Sequence, residues 1–125
     1  MSYPRIFATP GVGDFAEAVD YERQRQMSKW GDQMHDDGTG RPGDRELADH
    51  YRAVCKANGP LQDNWRDITA EEVFEAFAET DPDKLEEELI QAAAVIQAWI
   101  FDLRRRRQGV EPSARLLAEP PAWKD

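Results

Sequence analysis

One segment constrains the fold more than any other, because its apolar side chains recur at alternating spacings of four and three residues. The members of this stripe are Leu85, Leu89, Ala92, Ile96, Trp99 and Leu103. Such spacing lines one face of an α-helix, whereas a strand alternates every second residue. Pro82 suits a first helical position, and the arginines at 104–107 suit the carbonyl end of a helix dipole. We therefore predict a helix over residues 82–107 with this stripe in the core.

Three earlier segments also have helical character, and capping residues or breakers mark their ends. Asp14 opens a capping-box pattern, the Asn-Gly pair at 58–59 is a stop signal, and Asn64 or Thr69 suits an N-cap. The three predicted helices cover residues 15–30, 44–57 and 64–79. Because no strand pattern or internal repeat is present, we expect an all-α, four-helix bundle. We expect a second copy of the chain to cover part of its apolar core.

The length of 125 residues fits one domain. Residues 1–13 predict an irregular leader, residues 14–108 a single helical domain, and residues 109–125 a Pro-containing tail. Inside the domain, the stretch 31–43 is rich in Gly, Asp and Pro and predicts a long loop. Loops of this length inside a compact domain are often functional or disordered.

The net charge of −9 comes from one segment. Residues 67–88 contain ten acidic side chains and one basic side chain, while the rest of the chain is balanced. A chain of this charge is poorly suited to a nucleic acid polymer or an anionic membrane surface, since the phosphates of both favour basic patches. The simplest interpretation of the acidic segment is a solvated surface. The alternative is a cation site.

Cysteine content and hydropathy indicate the compartment. The single cysteine, Cys55, excludes an intramolecular disulfide framework. No apolar run approaches the roughly 20 residues of a membrane span, and the first residues have no signal-peptide core. We expect a cytoplasmic protein that binds neither membranes nor nucleic acid polymers.

Carboxylates at helical spacing are the candidates for a cation site. Glu72 and Glu75 are three residues apart, as are Glu88 and Gln91, so each pair shares one helix face. A tight turn at 81–82 would bring the two pairs together. Converging carboxylates repel one another unless a cation lies between them, and oxygen-only ligands favour Mg²⁺ or Mn²⁺. Spacing alone also allows all of these side chains to be solvated.

The strings EEVFEAFAE at 71–79 and LEEELIQAAA at 85–94 resemble the core of the MazG-like all-α nucleotide pyrophosphohydrolases. The motif of that family is E-x2-E, a spacer, and E-x2-D. Glu72, Glu75 and Glu88 match three of its four positions, and Gln91 stands where the family has Asp. The upstream string ERQRQMSKWGDQMH at 22–35 also resembles the helix and loop that precede the motif in such proteins.

The resemblance implies Mg²⁺-dependent hydrolysis of a nucleoside triphosphate to the monophosphate and pyrophosphate, with Mn²⁺ as a possible substitute. It implies a homodimer or homotetramer, and it makes Glu72, Glu75 and Glu88 catalytic metal ligands. Gln91 would offer the metal only a neutral carbonyl oxygen, which weakens one binding position. The competing hypothesis is a non-catalytic helical interaction module that keeps the fold without full metal binding.

The same resemblance implies that the upstream segment binds the nucleotide. Its candidate substrate-binding residues are Gln26, Lys29, Trp30 and His35. Trp30 would stack on a base, and His35 would line the loop. Lys29, Arg23 or Arg25 would lie near phosphates. Without the resemblance, a Trp at the end of an amphipathic helix is usually a core anchor, and a His in an Asp-rich loop is usually solvated.

Overall fold

The computed structural model of the chain describes residues 6–109, and within that range it contains α-helices and no β-strand. The helices are α1 (Val12–Trp30), α2 (Asp44–Gln62), α3 (Trp65–Ala78) and α4 (Pro82–Arg107). The all-α prediction is confirmed for these residues. None of the described helices is long and apolar enough to cross a membrane. The predictions for residues 1–5 and for the tail beyond Gly109 lie outside the described residues.

The ends of α3 and α4 follow local capping chemistry. The side chain of Asn64 accepts a hydrogen bond of 2.8 Å from the backbone N–H of Asp67, which makes it the N-cap of α3. Asp81 caps α4 in the same way through the N–H of Lys84, at 3.1 Å, and Pro82 takes the first helical position. These caps satisfy backbone donors that the first helical turn leaves free. The predicted span of α4 and the Asn64 cap are confirmed.

The start of α1 differs from the prediction. The helix begins at Val12, and its N-cap is Gly11 with φ 83°, where no side chain caps the helix. The capping box predicted at Asp14 is therefore wrong, and Asp14 lies in the first turn instead. Glycine tolerates this left-handed backbone conformation, so the chain enters the helix earlier than the polar pattern indicates. The predicted end at Trp30 is confirmed.

The second helix is longer than predicted but breaks where the stop signal lies. Helical geometry is interrupted at Gly59, with φ 72° and ψ 169°, and Pro60 follows. Because proline has no N–H to donate and restricts the residue before it, this dipeptide kinks the chain. A short helical stretch then continues to Gln62.

The chain divides into two compact units, one ending at Asp37 and the other beginning at Gly38. The sequence predicts no boundary at this point. The first unit contains α1, which has no buried residue. In the second unit α2 packs against α3 and α3 packs against α4. The loop before α2 is fixed to α3, because the N–H of Gly40 donates to the carbonyl of Phe77 at 2.7 Å.

The face that α4 presents to α3 is rotated away from the predicted stripe. Leu89 is 50% exposed and Ile96 is 37% exposed, so their prediction as core residues is wrong. The buried residues of α4 are Leu85, Ala92, Val95 and Asp102. Asp102 is buried because its Oδ2 accepts a hydrogen bond of 2.7 Å from Nε1 of Trp65 on α3. A carboxylate can be buried when it is hydrogen-bonded. The bond between Trp65 and Asp102 therefore orients the side of α4 that carries Asp102 toward α3.

Candidate metal centre

The hairpin of α3 and α4 brings three carboxylates together. Glu72 and Glu75 lie three residues apart on α3, and Glu88 lies near the start of α4. One carboxylate oxygen from each lies within 4.8 Å of the other two, a spacing at which the three can hold one metal ion. The convergence predicted from helical spacing is therefore confirmed for these three residues.

The turn between the helices is built by a side chain of the acidic segment itself. Oε1 of Glu79 accepts hydrogen bonds of 3.1 Å from the N–H groups of Thr80 and Asp81. This carboxylate stabilises a connection of three residues between the end of α3 and the start of α4. Such a short connection keeps the two helices side by side, so a carboxylate near the start of α4 meets those in the second half of α3.

The cluster is withdrawn from solvent. Glu72 is 4% exposed, and the side chain of Glu75 is 14% exposed. Glu88 is half-buried, and its Oε2 is a buried oxygen without a hydrogen-bond partner among the described residues. A buried carboxylate oxygen without a partner costs free energy, and a bound cation would remove that cost.

The electrostatics of Glu88 reflect this environment. Burial raises the pKa of the Glu88 carboxyl, and repulsion from Glu75 and Glu79 raises it further. Arg45 and Arg52 lower it, but by less. Desolvation and like charges both disfavour the ionised form, so Glu88 binds a proton more readily than an ordinary glutamate. A divalent cation would reverse this preference by supplying positive charge at the same place.

Sequence reasoning missed one functional candidate, Arg52 of α2. Its guanidinium forms an ion pair with Glu75, and its Nε lies 3.9 Å from Oε1 of Glu71. These contacts raise the pKa of Arg52. In the structure Arg52 lies one helical turn after Ala48, the buried residue of α2, and therefore on the side of α2 that faces α3, which the sequence alone does not indicate. Arg52 partly neutralises the cluster from outside it.

Gln91, predicted as the fourth metal ligand, lies three residues beyond Glu88 on α4 and is exposed. The three carboxylates of Glu72, Glu75 and Glu88 converge without a contribution from Gln91. Its side chain can offer a neutral carbonyl oxygen to a cation at this end of the hairpin. The role of Gln91 as a ligand stays a prediction.

The predicted nucleotide-binding residues belong to the first unit. Trp30 is 54% exposed, and the ammonium of Lys29 lies 5.0 Å from the centre of its ring, a cation–π distance. Gln26 accepts a hydrogen bond of 2.6 Å from Arg23. His35 is exposed in the loop. Trp30 is thus not a buried core anchor, and its ring is available for stacking. Substrate binding by this group stays a prediction.

A neighbouring ion pair on α1 involves Glu22. Arg25 donates two hydrogen bonds to the carboxylate, of 2.6 and 2.7 Å, and these bonds lower the pKa of Glu22 to about 2. Both residues are exposed to solvent and only one helical turn apart, so the pair contributes little to stability. It does keep Glu22 ionised.

Cys55 and Arg105 are chemically reactive or charged residues that serve packing. Burial raises the pKa of the Cys55 thiol to about 12, which leaves it protonated and unreactive at neutral pH. Arg105 lies over the ring of Phe101, with its guanidinium carbon 4.6 Å from the ring centre. Its Nη2 lies 3.8 Å from Oδ1 of Asp102. This arginine of the predicted basic helix end is therefore held against α4 itself.

Fold and site together define an all-α chain in which a helical hairpin carries a buried cluster of three carboxylates able to hold a metal ion. Hard oxygen ligands of this kind match the preference of Mg²⁺ and Mn²⁺. No protein-family model, no curated protein and no solved structure matches the chain.

Proposed function

We propose that the chain is a Mg²⁺-dependent nucleotide pyrophosphohydrolase of the MazG-like all-α type. It would hydrolyse a nucleoside or deoxynucleoside triphosphate to the monophosphate and pyrophosphate, with Mn²⁺ as the alternative metal. The observation that carries the proposal is the convergence of Glu72, Glu75 and Glu88 within 4.8 Å in the order and spacing of that family's motif.

Three properties of the cluster support a resident divalent cation. Its ligand atoms are oxygens only, the buried Oε2 of Glu88 has no hydrogen-bond partner in the described part of the chain, and burial together with neighbouring carboxylates raises the pKa of Glu88. A nucleotide polyphosphate is an anion, and an acidic pocket binds an anion only through a bridging cation. When bound, Mg²⁺ would neutralise phosphate oxygens and lower the pKa of a coordinated water.

The residues of the chain divide the remaining work. Glu72 and Glu75 supply ligand oxygens from one rigid helix face, and Glu88 supplies a third from the adjacent helix. Arg52 holds Glu75 in place through their ion pair. The bond that breaks joins the α and β phosphates, and water supplies the oxygen and protons for the two products. Trp30, Lys29, Gln26 and His35 are the proposed contacts to the base and phosphates.

The proposal includes two further expectations, assembly as a homodimer or homotetramer and a cytoplasmic location. The first follows from the family resemblance and from the apolar residues that α4 leaves exposed. The second follows from the single cysteine, Cys55, whose thiol is not oxidised to a disulfide within the chain.

A Mg²⁺ titration combined with a nucleotide panel tests the proposal. Millimolar Mg²⁺ should raise the melting temperature, and at least one nucleoside triphosphate should release pyrophosphate in its presence. Ca²⁺ is a useful comparison ion, because its larger radius and flexible coordination fit a compact carboxylate cluster less well. The enzyme hypothesis fails if Mg²⁺ neither stabilises the protein nor permits pyrophosphate release from any nucleotide.

The second candidate is a non-catalytic helical interaction module, and two observations favour it. Gln91 replaces a charged ligand by a neutral one, and Arg52 already neutralises part of the charge of Glu75 without a metal. Stabilisation by Mg²⁺ without turnover of any nucleotide would favour this candidate over the enzyme.

A further inference from the structure

We propose that the exposed apolar face of α4 is the contact between two copies of this chain, and that the two α4 helices pair antiparallel. The face is separate from the side of α4 that carries Glu88 and Asp102 toward α3. It supplies the homo-oligomer named in the proposed function, but it does not depend on metal binding or catalysis.

The face is a continuous stripe at the spacing of a helix–helix seam. Its members, which we call the outer stripe, are Leu89, Ala93, Ile96, Ile100 and Leu103. They are four, three, four and three residues apart, the spacing with which apolar seams of paired helices interlock. Over these four turns the outer stripe is about 21 Å long. All five side chains are apolar.

Among the described residues of the second unit, α4 packs mainly against α3, which covers the different side of α4 on which Leu85, Ala92, Val95 and Asp102 are buried. Leu89 is 50% exposed, Ile96 is 37% exposed and Ala93 is exposed, while Ile100 and Leu103 are half-buried. A row of exposed Leu and Ile on one helix face is typical of an interface, whereas single exposed apolar residues are common on any surface.

Charge determines which occupant the stripe fits. Before the stripe, the first turns of α4 carry the exposed acids Asp83, Glu86 and Glu87. After it, the last turn carries Arg104 and the exposed Arg106 and Arg107. A second copy of α4 laid antiparallel places its basic end against the acidic end of the first, and the reverse holds at the other end. A parallel copy would place like charges together at both ends, which is unfavourable.

The flanking positions agree with this orientation. Glu86 and Arg104 are 18 residues apart, or about five helical turns, so they lie on the same side of α4. In an antiparallel pair the two-fold axis passes through the midpoint of the stripe, perpendicular to the plane that contains both helices. The side of α4 that carries Glu86 and Arg104 therefore faces the same way in both copies. The axis passes near Ile96, and it brings Glu86 of one copy beside Arg104 of the other.

Sedimentation analysis of the full chain at micromolar concentrations tests the pairing. We expect a dimer or a multiple of it, and at least a tenfold weaker association after Ile96→Asp. Ile90→Asp is the matched control, since Ile90 is 62% exposed on the same helix but lies off the outer stripe. A monomer at every concentration would overturn the pairing. So would an Ile96→Asp variant that melts earlier without any change in mass, because a segment of the same chain then covers the stripe.

A charge exchange tests the orientation. Glu86→Arg and Arg104→Glu should each weaken the dimer, and the double variant should restore it. In a Cys55→Ala background, Ile96→Cys should form a disulfide-linked dimer with a mild oxidant. Leu89→Cys should cross-link to Leu103→Cys but not to itself. Self-linking of Leu89→Cys would show a parallel pair and overturn the proposal.

Mg²⁺ titration of the Ile96→Asp variant keeps the two proposals apart. Retained Mg²⁺ stabilisation in a monomeric variant would support the pairing while leaving the metal centre intact. If the unsubstituted protein forms the dimer but does not bind Mg²⁺, the proposed function is overturned and the pairing is supported.

Discussion

Nε1 of Trp65 donates a hydrogen bond of 2.7 Å to Oδ2 of Asp102, and this bond joins the first residue of α3 to the end of α4. The opposite end of the hairpin is closed by the turn in which Glu79 accepts two backbone hydrogen bonds. Glu72, Glu75 and Glu88 lie between these two fixed points. The carboxylate cluster is therefore held by a hairpin that is fixed at both ends.

Removing the indole donor should loosen that hairpin. Trp65→Phe keeps the apolar ring but loses the hydrogen bond to a buried carboxylate, and we expect the free energy of unfolding to fall by about 2 kcal/mol. Urea denaturation measures the change. Trp30→Phe is the control, since Trp30 is half-exposed on α1 and the same substitution there should stay within about 0.5 kcal/mol. Equal losses in the two variants would contradict this role for Trp65.

Neutralising a central ligand should abolish metal-dependent chemistry without unfolding the protein. Glu75→Gln keeps the size of the side chain and one acceptor oxygen but removes one negative charge from the cluster. We expect Mg²⁺ affinity to fall by at least tenfold and pyrophosphate release to disappear, with the circular dichroism spectrum retained. Glu87→Gln, an exposed residue of α4, should change neither. Unchanged turnover in Glu75→Gln would refute the ligand assignment.

Restoring a charge at position 91 should have the opposite effect. Gln91→Asp adds a carboxylate one helical turn beyond Glu88, and we expect several-fold tighter Mg²⁺ binding by calorimetry. If the carboxylate introduced by Gln91→Asp reaches the cation, turnover should also rise, because more of the enzyme then holds Mg²⁺. No change in Mg²⁺ affinity would show that Gln91 lies outside the metal centre.

The raised pKa of Glu88 predicts a pH dependence with a definite sign. Without metal, the folded state holds this proton above the ordinary carboxyl value of 4.5, so the folded state binds more protons than the unfolded state in that window. The free energy of unfolding should then fall as the pH rises through the window. Glu88→Gln should remove this fall, making the metal-free protein more stable than the unaltered chain at pH 7.

Urea denaturation in a chelator, at pH 7 and well below pH 4.5, measures that difference. At the lower pH both the folded and unfolded states carry the proton, and the advantage of Glu88→Gln should vanish. Glu86→Gln serves as the control, because Glu86 is exposed on the same helix. An equal gain at both pH values would show that the effect of Glu88→Gln is not one of proton binding.

A side chain at Gly40 should detach the loop from α3. Gly40 has φ 76°, and an added Cβ would lie 2.3 Å from Cγ2 of Thr80. We expect Gly40→Ala to lower the free energy of unfolding by about 2 to 3 kcal/mol, through backbone strain and the clash together. Gly43→Ala isolates the strain, since Gly43 has φ 92° with nothing within 4 Å, and it should cost about 1 kcal/mol. Similar losses at the two positions would show that contact with Thr80 is unimportant.

The features that the sequence predicts well are determined by neighbouring residues. Asn64, Asp81 and Pro82 each act within one helical turn, and the structure places the starts of α3 and α4 where these residues indicate. The meeting of Glu75 and Glu88 is also predictable, because a short turn between two regular helices leaves little freedom. The positive φ of Gly11 was not predictable, since glycine permits that conformation without requiring it.

The features that escaped prediction depend on distant parts of the chain. The side of α4 that becomes buried is determined by the bond between Trp65 and Asp102, residues 37 apart in the sequence. Arg52 reaches the cluster only because α2 packs against α3. Hydropathy ranks Leu89 above Asp102 as a core residue, and only the tertiary partner reverses that order.

The spacing between Glu88 and Asp102 adds a constraint on chain length. Asp102 comes fourteen positions after Glu88 along an unbroken helix, and both side chains have to face α3 at once. Deleting one residue between them would turn Asp102 by about 100° around the helix axis relative to Glu88. An insertion of seven residues would nearly preserve the angle between Glu88 and Asp102 around the helix axis, whereas a single insertion would not. Sequences that share this arrangement should therefore vary in composition along α4 far more freely than in the number of residues between these two acids.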